Sequence, residues 1–202
     1  PIKMSWYIDR EGHEHNKALG IRTDSPGYIF FQRRGYELVQ KEVSYYLELE
    51  KFYIPADVQK HIMEFKQQGI RVAWFDGARN FGYEEMFGRL RDQSFLKKFR
   101  DGIREHKKIL IVEDRDGRVI GTAGTVYPEK NGRGFFSALA VDPADGGKGI
   151  GNVLFFSLCQ ELKNMGAEYM TIFVTETNFA RRIYEKAGFS VVQEWAILKK
   201  TV

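Results

Sequence analysis

The 202-residue chain has a single cysteine, Cys159, only five prolines, and no apolar run near the roughly 18 residues a bilayer span requires. One cysteine excludes a disulfide framework and a cysteine-based zinc site and suits a reducing compartment, so a cytoplasmic protein is expected. Residues 1–10 lack the charged-then-apolar order of a signal peptide, which predicts an unexported chain. Charge of one sign is never concentrated: the net charge is +4, but the bases are interspersed with acids. Nothing therefore singles out nucleic acid or a membrane as a partner.

What is present is ordinary globular material, with 43% hydrophobic and 29% charged residues. Residues 2–8 read as a strand and 9–24 as a long polar loop. Ser25-Pro26 opens a short helix closed by Gly35, and a long strand follows over 36–52. Pro55 starts a helix ending at Gly69, then comes a short buried strand over 70–75. Residues 80–106 read as two helices broken near Asp92, a candidate cap. Strands over 108–113, 119–127 and 134–141 form an antiparallel meander. An amphipathic helix over 150–164, a strand over 169–174, a helix over 178–187 and a strand over 189–198 complete a mixed α/β pattern.

The most informative stretch links a strand end to a helix start: Val141-Asp142-Pro143-Ala144-Asp145-Gly146-Gly147-Lys148-Gly149-Ile150-Gly151. Four glycines in six residues cost chain entropy unless the backbone bends tightly or lets something approach. Free N–H groups at a helix start attract phosphate, and Lys148 adds positive charge. A Walker A loop is excluded because Gly149 stands where Ser or Thr is needed, and the glycines do not fit the dinucleotide fingerprint.

The segment resembles motif A of the GNAT acetyltransferase superfamily through Val141, Pro143, Gly149 and Gly151, with Gly146 where the family usually has Gln or Arg. Downstream, Ile172-Phe173-Val174, Asn178, Ala180, Ile183-Tyr184 and Gly188-Phe189 resemble motif B. The resemblance runs from about residue 55 or 69 to the C-terminus. It implies a mostly antiparallel central sheet splayed between the strands ending at Val141 and Val174, with the pantetheine arm of acetyl-CoA in the gap.

By the same resemblance, Gly146, Gly147, Lys148, Gly149, Ile150 and Gly151 hold the coenzyme A pyrophosphate through backbone N–H groups. A bulge in the strand before Val141 aims the Leu139 N–H at the thioester oxygen, while Ala140 and Val141 pair with the pantetheine. Tyr184 matches the general acid for the leaving thiolate; Asn178 caps its helix and touches the cofactor. Family members often carry an acid about four residues before the valine, where this chain has Ser137. Glu176 and Asp76 are substitute bases, each weighed against a plain surface acid, and a water chain is a third route. His13-x-His15 is a metal hint outweighed by a solvated loop, and Cys159 reads as a core residue.

These readings give an acetyl-CoA-dependent N-acetyltransferase acting on a small-molecule or peptide amine. The competing reading, motivated by Ser137, is a coenzyme A-binding regulatory or scaffolding module. The acceptor site is expected beyond Phe75, where Phe81, Tyr83 and Phe87 beside Glu84 and Glu85 suit a cationic amine with an apolar body.

An internal repeat completes the reading. At an offset of 153, Ser25 to Gln40 lie under Asn178 to Gln193, matching Gly35 with Gly188, Tyr36 with Phe189, Val39 with Val192 and Gln40 with Gln193, and placing Phe31 under Tyr184. Residues 4–8 match 170–174 once a 13-residue insertion is allowed. Residues 1–54 thus read as the C-terminal half of a GNAT-like domain, without activity of its own, ahead of an acetyltransferase domain over 55–202. Because the chain has no initiating Met and no second glycine loop, the expectation is a processed or truncated chain, or a half-domain completed by the second domain or by a neighbouring chain in a homodimer.

Overall fold

The computed structural model describes residues 5–8 and 12–200. Along the chain run β1 (Trp6–Tyr7), β2 (Glu14–His15), β3 (Ile21–Arg22), α1 (Pro26–Arg33), β4 (Glu37–Glu48), α2 (Ala56–Gln67), β5 (Arg71–Trp74), α3 (Tyr83–Leu90) and α4 (Gln93–Arg104). Then come β6 (Ile109–Glu113), β7 (Val119–Pro128), β8 (Arg133–Phe136), β9 (Ala140–Val141), α5 (Ile150–Asn164), β10 (Tyr169–Thr175), α6 (Arg181–Lys186) and β11 (Ser190–Lys199). The mixed α/β class is as read from the sequence. Local signals set the boundaries well: the Ser25 side chain accepts the N–H of Tyr28 at the start of α1, and Asp92 accepts that of Phe95 at the start of α4.

Two compact units emerge. The glycine-loop unit takes Phe52–Glu129 and Gly134–Ala167; the tyrosine unit takes the described parts of 1–51 and 168–202 with Lys130–Arg133. The segment up to residue 51 therefore shares a unit with the chain's C-terminal strands.

In the glycine-loop unit the antiparallel ladder runs β8-β7-β6-β5, and β9 also pairs with β7. Strand β6 is buried throughout because both its faces are covered. Ile109 and Ile111 join Met86, Phe87, Leu96 and Phe99 of α3 and α4; the alternate residues Leu110 and Val112 line a 450 Å³ groove with Ile62 and Phe65 of α2 and Val153 of α5. Strand β5 is at most half-buried rather than core, since it ends the ladder and pairs with β6 alone.

The expected strand over 134–141 is interrupted at 137–139, and the predicted bulge lies in this break: the consecutive amides of Ser137 and Ala138 both donate to β7, to Thr125 O and Ala123 O, and the β7-facing parity has changed by Asp142, whose amide donates to Ile120 O. Val126↔Phe136 and Thr122↔Ala140 keep one register across the break. Strand β7 carries an extra residue of its own against β6, where Leu110 pairs with Gly124 and Ile111 with Thr122, so both strands are irregular at this level and their register is restored beyond it. Gly124 has φ 67°, and a Cβ there would meet Ser137 Oγ at 2.1 Å. The missing side chain is what lets Ser137 lie against β7 and accept the Thr125 N–H at 2.9 Å.

In the tyrosine unit the order is β3-β11-β4-β10, all antiparallel. This arrangement is pseudo-twofold at the repeat offset of 153. The pair Arg22↔Trp195 corresponds to Thr175↔Glu42, and Ile21↔Ala196 to Val174↔Val43, while Glu42↔Trp195 maps onto itself. The hydrogen bond from Thr23 N–H to Glu194 O has its twin from Glu176 N–H to Lys41 O, and that from Tyr36 N–H to Phe31 O its twin from Phe189 N–H to Tyr184 O. Val39 and Val192 are the extra residues of two matching bulges. Strand β3 thus occupies the place given in sequence to residues 4–8, and it does so without any insertion. Of that segment, residue 4 lies outside the described residues, and β1 pairs with β2.

The polar stretch before α1 is not a solvated loop. His15 is fully buried and stacked on Trp6 at 5.4 Å, and burial pulls its pKa down to about 4. The ring of His13 stacks on Tyr169 at 4.0 Å. Both histidines lie among aromatic rings that a scan for polar residues could not reveal.

Cys159 is fully buried in α5, and burial pushes its thiol well above the ordinary range. Ellman's reagent at mildly alkaline pH should leave the native protein unlabelled and titrate the one thiol after denaturation in guanidinium. Prompt labelling of the native protein would show that this face of α5 opens.

Candidate active site

The first cluster of expected site residues lies within the glycine-loop unit. Asp142 N–H donates to Ile120 O at 2.9 Å, which fixes the parity of the β9–β7 ladder. Ala140 accordingly turns its backbone groups to β7, whereas Leu139 and Val141 turn theirs the opposite way. Among the described residues none accepts a hydrogen bond from the half-buried Leu139 N–H. Leu139 and Val141 therefore fit the donor roles implied by the resemblance, and Ala140 is committed to the sheet.

After β9, Asp142 caps a short 3-10 turn (Pro143–Asp145) by accepting the Ala144 N–H at 3.0 Å. The chain then reaches α5 through Gly147 at φ 76° and Gly149 at φ 85°. A Cβ at either would meet nothing within 4 Å, so left-handed backbone rather than lack of room is what calls for glycine there. Gly149 is the N-cap of α5 and offers no capping side chain. As a result the amides of Gly147, Lys148, Gly149, Ile150 and Gly151 find no acceptor among the described residues. Five consecutive donors at the entry of a 15-residue helix have the chemistry to accept an anion.

A charge network that sequence reading missed holds this loop. Asp142, fully buried, accepts a two-pronged contact from Arg89 on α3 at 2.8 and 2.5 Å and a third from Arg118 at 3.4 Å. The Arg89 hydrogen bond holds the Asp142 carboxyl below the usual range. Burial alone would raise Asp145, but hydrogen bonds from Lys148 at 2.7 Å and Arg118 at 3.0 Å outweigh it and hold this carboxyl low as well. No spacing in the sequence joins Arg89 to Asp142; only an acid between a valine and a proline at a strand end hinted at a partner.

The second cluster lies within the tyrosine unit. Asn178 Oδ1 accepts the Ala180 N–H at 2.8 Å, a local cap at the entry of α6. Tyr184 is buried on α6, its ring edge-on to Tyr45 at 5.9 Å and tilted against Phe189 at 6.2 Å.

The base candidates fare poorly in their surroundings. Ser137 spends its hydroxyl on β7. Asp76 is an exposed turn acid that accepts the Ala78 N–H. Glu176 is exposed and lies 3.9 Å from Lys41. The expected acceptor aromatics divide: Phe87 is core, Tyr83 packs on the same cluster, and Phe81 alone is exposed, while Glu84 pairs with Arg100 at 2.6 Å. Helical spacing turns Tyr83 and Phe87, four residues apart, onto one inward face. Among the described residues there is no group of three or more metal-ligating side chains, and no helix is long and apolar enough to cross a membrane.

A family model described as an acetyltransferase (GNAT) domain matches residues 62–197. A mycothiol acetyltransferase of Propionibacterium freudenreichii subsp. shermanii is 33% identical over 87 residues, 42% of this chain and 28% of the relative. One from Thermomonospora curvata is 36% identical over 83 residues, 40% of this chain and 27% of the relative. The matched region thus spans little more than a quarter of these curated relatives. Among solved structures, a GCN5-related glucosamine N-acetyltransferase region of a fungal multi-domain GH3 beta-N-acetylglucosaminidase has TM-score 0.68 at 13% identity, covering 89% of this chain and 24% of that one. A GCN5-related N-acetyltransferase from Sphaerobacter thermophilus has TM-score 0.58 at 20% identity, covering 88% and 57%. At such identities these two structures speak for the fold alone.

Because the folded-state pKa of Asp142 is lowered, its pairing contributes stability above the unfolded-state value near pH 4 and loses it as pH falls through the folded value. Asp142→Asn should cost about 1–3 kcal/mol at neutral pH, with the gap from wild type closing in acid below about pH 4. Urea titrations across pH check this; a constant gap would refute the ionic role.

Proposed function

Because the chain belongs to the GNAT acetyltransferase family, we propose that it is an acetyl-CoA-dependent N-acetyltransferase that passes the acetyl group directly to a primary amine. The observation that carries this reading is the row of acceptor-free amides over 147–151 following a strand whose Leu139 and Val141 amides face away from β7. The row suits the coenzyme A pyrophosphate, with Lys148 paired to Asp145 beneath it, and the two strand amides suit the amide-bearing pantetheine arm and the thioester oxygen.

In the proposed reaction the neutral amine nitrogen attacks the thioester carbonyl carbon, forming the C–N bond while the carbonyl electron pair moves to oxygen, where the Leu139 N–H stabilises it. Collapse breaks the C–S bond. The departing thiolate takes the Tyr184 hydroxyl proton, and the proton released from nitrogen leaves through water and restores the tyrosine. With Ser137, Asp76 and Glu176 engaged elsewhere, no carboxylate is assigned as base. We also read residues 1–54 as a partial GNAT-like unit and 55–202 as the acetyltransferase domain; the matched register at offset 153 supports the first part.

Thiol release from acetyl-CoA over a panel of amines, including glucosamine because a structural neighbour is named for it, tests the reading. Acceleration by an amine supports it. Binding of acetyl-CoA with no acceleration by any amine would favour a coenzyme A-binding module instead, a reading motivated by Ser137 at the position where family members often carry an acid.

Two variants separate the roles. Gly149→Val forces a branched residue into left-handed backbone and should weaken acetyl-CoA binding in calorimetry; unchanged affinity would sink the pyrophosphate placement. Tyr184→Phe keeps the ring and should lower turnover by about 100–10,000-fold, with cofactor affinity little changed. Equal turnover would reduce Tyr184 to packing.

A further inference from the structure

The pseudo-twofold supplies an internal control for the helix that carries Tyr184. At offset 153, Tyr184 corresponds to Phe31, Arg181 to Tyr28, Glu185 to Gln32, and Tyr45 to Leu198. Both copies build a helix, glycine turn and strand closed by equivalent hydrogen bonds, although α1 has eight residues and a Ser25 cap while α6 has six and no side-chain cap. Only the second copy adds a polar brace. Arg181 Nε donates to the Tyr45 hydroxyl at 2.8 Å, and that hydroxyl donates to Glu185 Oε1 at 3.0 Å. Arg181 and Glu185 themselves lie 3.8 Å apart, so the phenol bridges the pair. The first copy, its helix two residues longer and capped by Ser25, forms with Tyr28, Gln32 and Leu198 in those places, so a helix–glycine–strand element of this kind can be built without the brace.

Tyr45 itself is fully buried in the C-terminal part of β4, paired with Ile172 on one side and Val191 on the other. Its ring meets that of Tyr184 edge-on, and its hydroxyl holds the residues three before and one after Tyr184. Helix α6 has only six residues, too few to hold its own geometry in water. The direction of the Tyr184 side chain therefore depends on what grips the helix from outside. The gripping residue comes from β4, before the region matched by the family model at 62–197.

We propose that Tyr45 is a positioning residue for Tyr184, so that the N-terminal strand is part of the catalytic apparatus. This rests on the reading of Tyr184 as proton donor. A double-mutant cycle in the full chain tests it, following thiol release from acetyl-CoA with the fastest amine of the panel. Tyr45→Phe should lower kcat about 10-fold, as for a reacting group slightly misplaced, with KM for acetyl-CoA unchanged. In the Tyr184→Phe background it should have no further effect. Arg181→Lys, which keeps the charge and loses the Nε donor, should reproduce the loss in kcat alone and stands in should Tyr45→Phe fail to fold. No loss in either variant, or the same loss in both backgrounds, overturns the proposal and leaves Tyr45 as packing. If Tyr184→Phe turns over like wild type, or no amine is turned over at all, the proton-donor reading fails first and the inference falls with it.

Discussion

Strand β4 hydrogen-bonds along both edges, to β10 on one side and β11 on the other, and the tyrosine unit has no other ladder joining those two strands among the described residues. Two C-terminal strands are thus held together by a segment more than a hundred residues earlier in the chain. An unfilled slot there would leave two unpaired edges, each a row of unsatisfied donors and acceptors. Filling it with one twelve-residue strand satisfies both at once. The same insertion brings Tyr45 against the helix of Tyr184, so closure of the sheet and placement of the proposed acid share one cause.

The glycine loop works by a different economy. Its proposed role needs N–H groups without acceptors, yet a loop with so few internal hydrogen bonds and so many glycines has little reason to keep one shape. The shape is held from beneath by Asp142 and Asp145, which are fixed by Arg89, Arg118 and Lys148. These acids sit under a proposed anion site, and their charges would oppose it were they not met by three cations. Side chains thereby neutralise one another, and the backbone amides are left for the proposed ligand.

How much was legible depended on how local each cause was. Ser25, Asp92 and Asn178 declare helix starts because a cap acts within three residues of itself, and the spacing of Val141, Pro143, Gly149 and Gly151 declares the loop for the same reason. The duplication was legible too, since Gly35 and Gly188 mark equivalent turns. The failures were all of partnership. Phe87 and Tyr83 look like ligand-binding aromatics until Phe75 and Phe99 close over them. His13 and His15 look solvated until Tyr169 and Trp6 stack on them. The bulge expected in the strand before Val141 has a counterpart in β7 that went unread, because a ladder distortion is a property of two strands and the sequence displays one at a time.

The sequence by itself determined the helices and most of the strands, the glycine loop with its left-handed turns, the family, and the two-copy pattern at offset 153, all of which rest on interactions between residues close in the chain or on identities that can be aligned. Tertiary structure alone decided that β4 lies between β10 and β11, that β3 rather than residues 4–8 mirrors β10, that Arg89 and Arg118 neutralise the acids of the loop, and that Tyr45 bridges Arg181 and Glu185. Each of these joins residues whose separation along the chain says nothing of their distance in space, and each is chosen by burial and by the need to satisfy every polar group left inside.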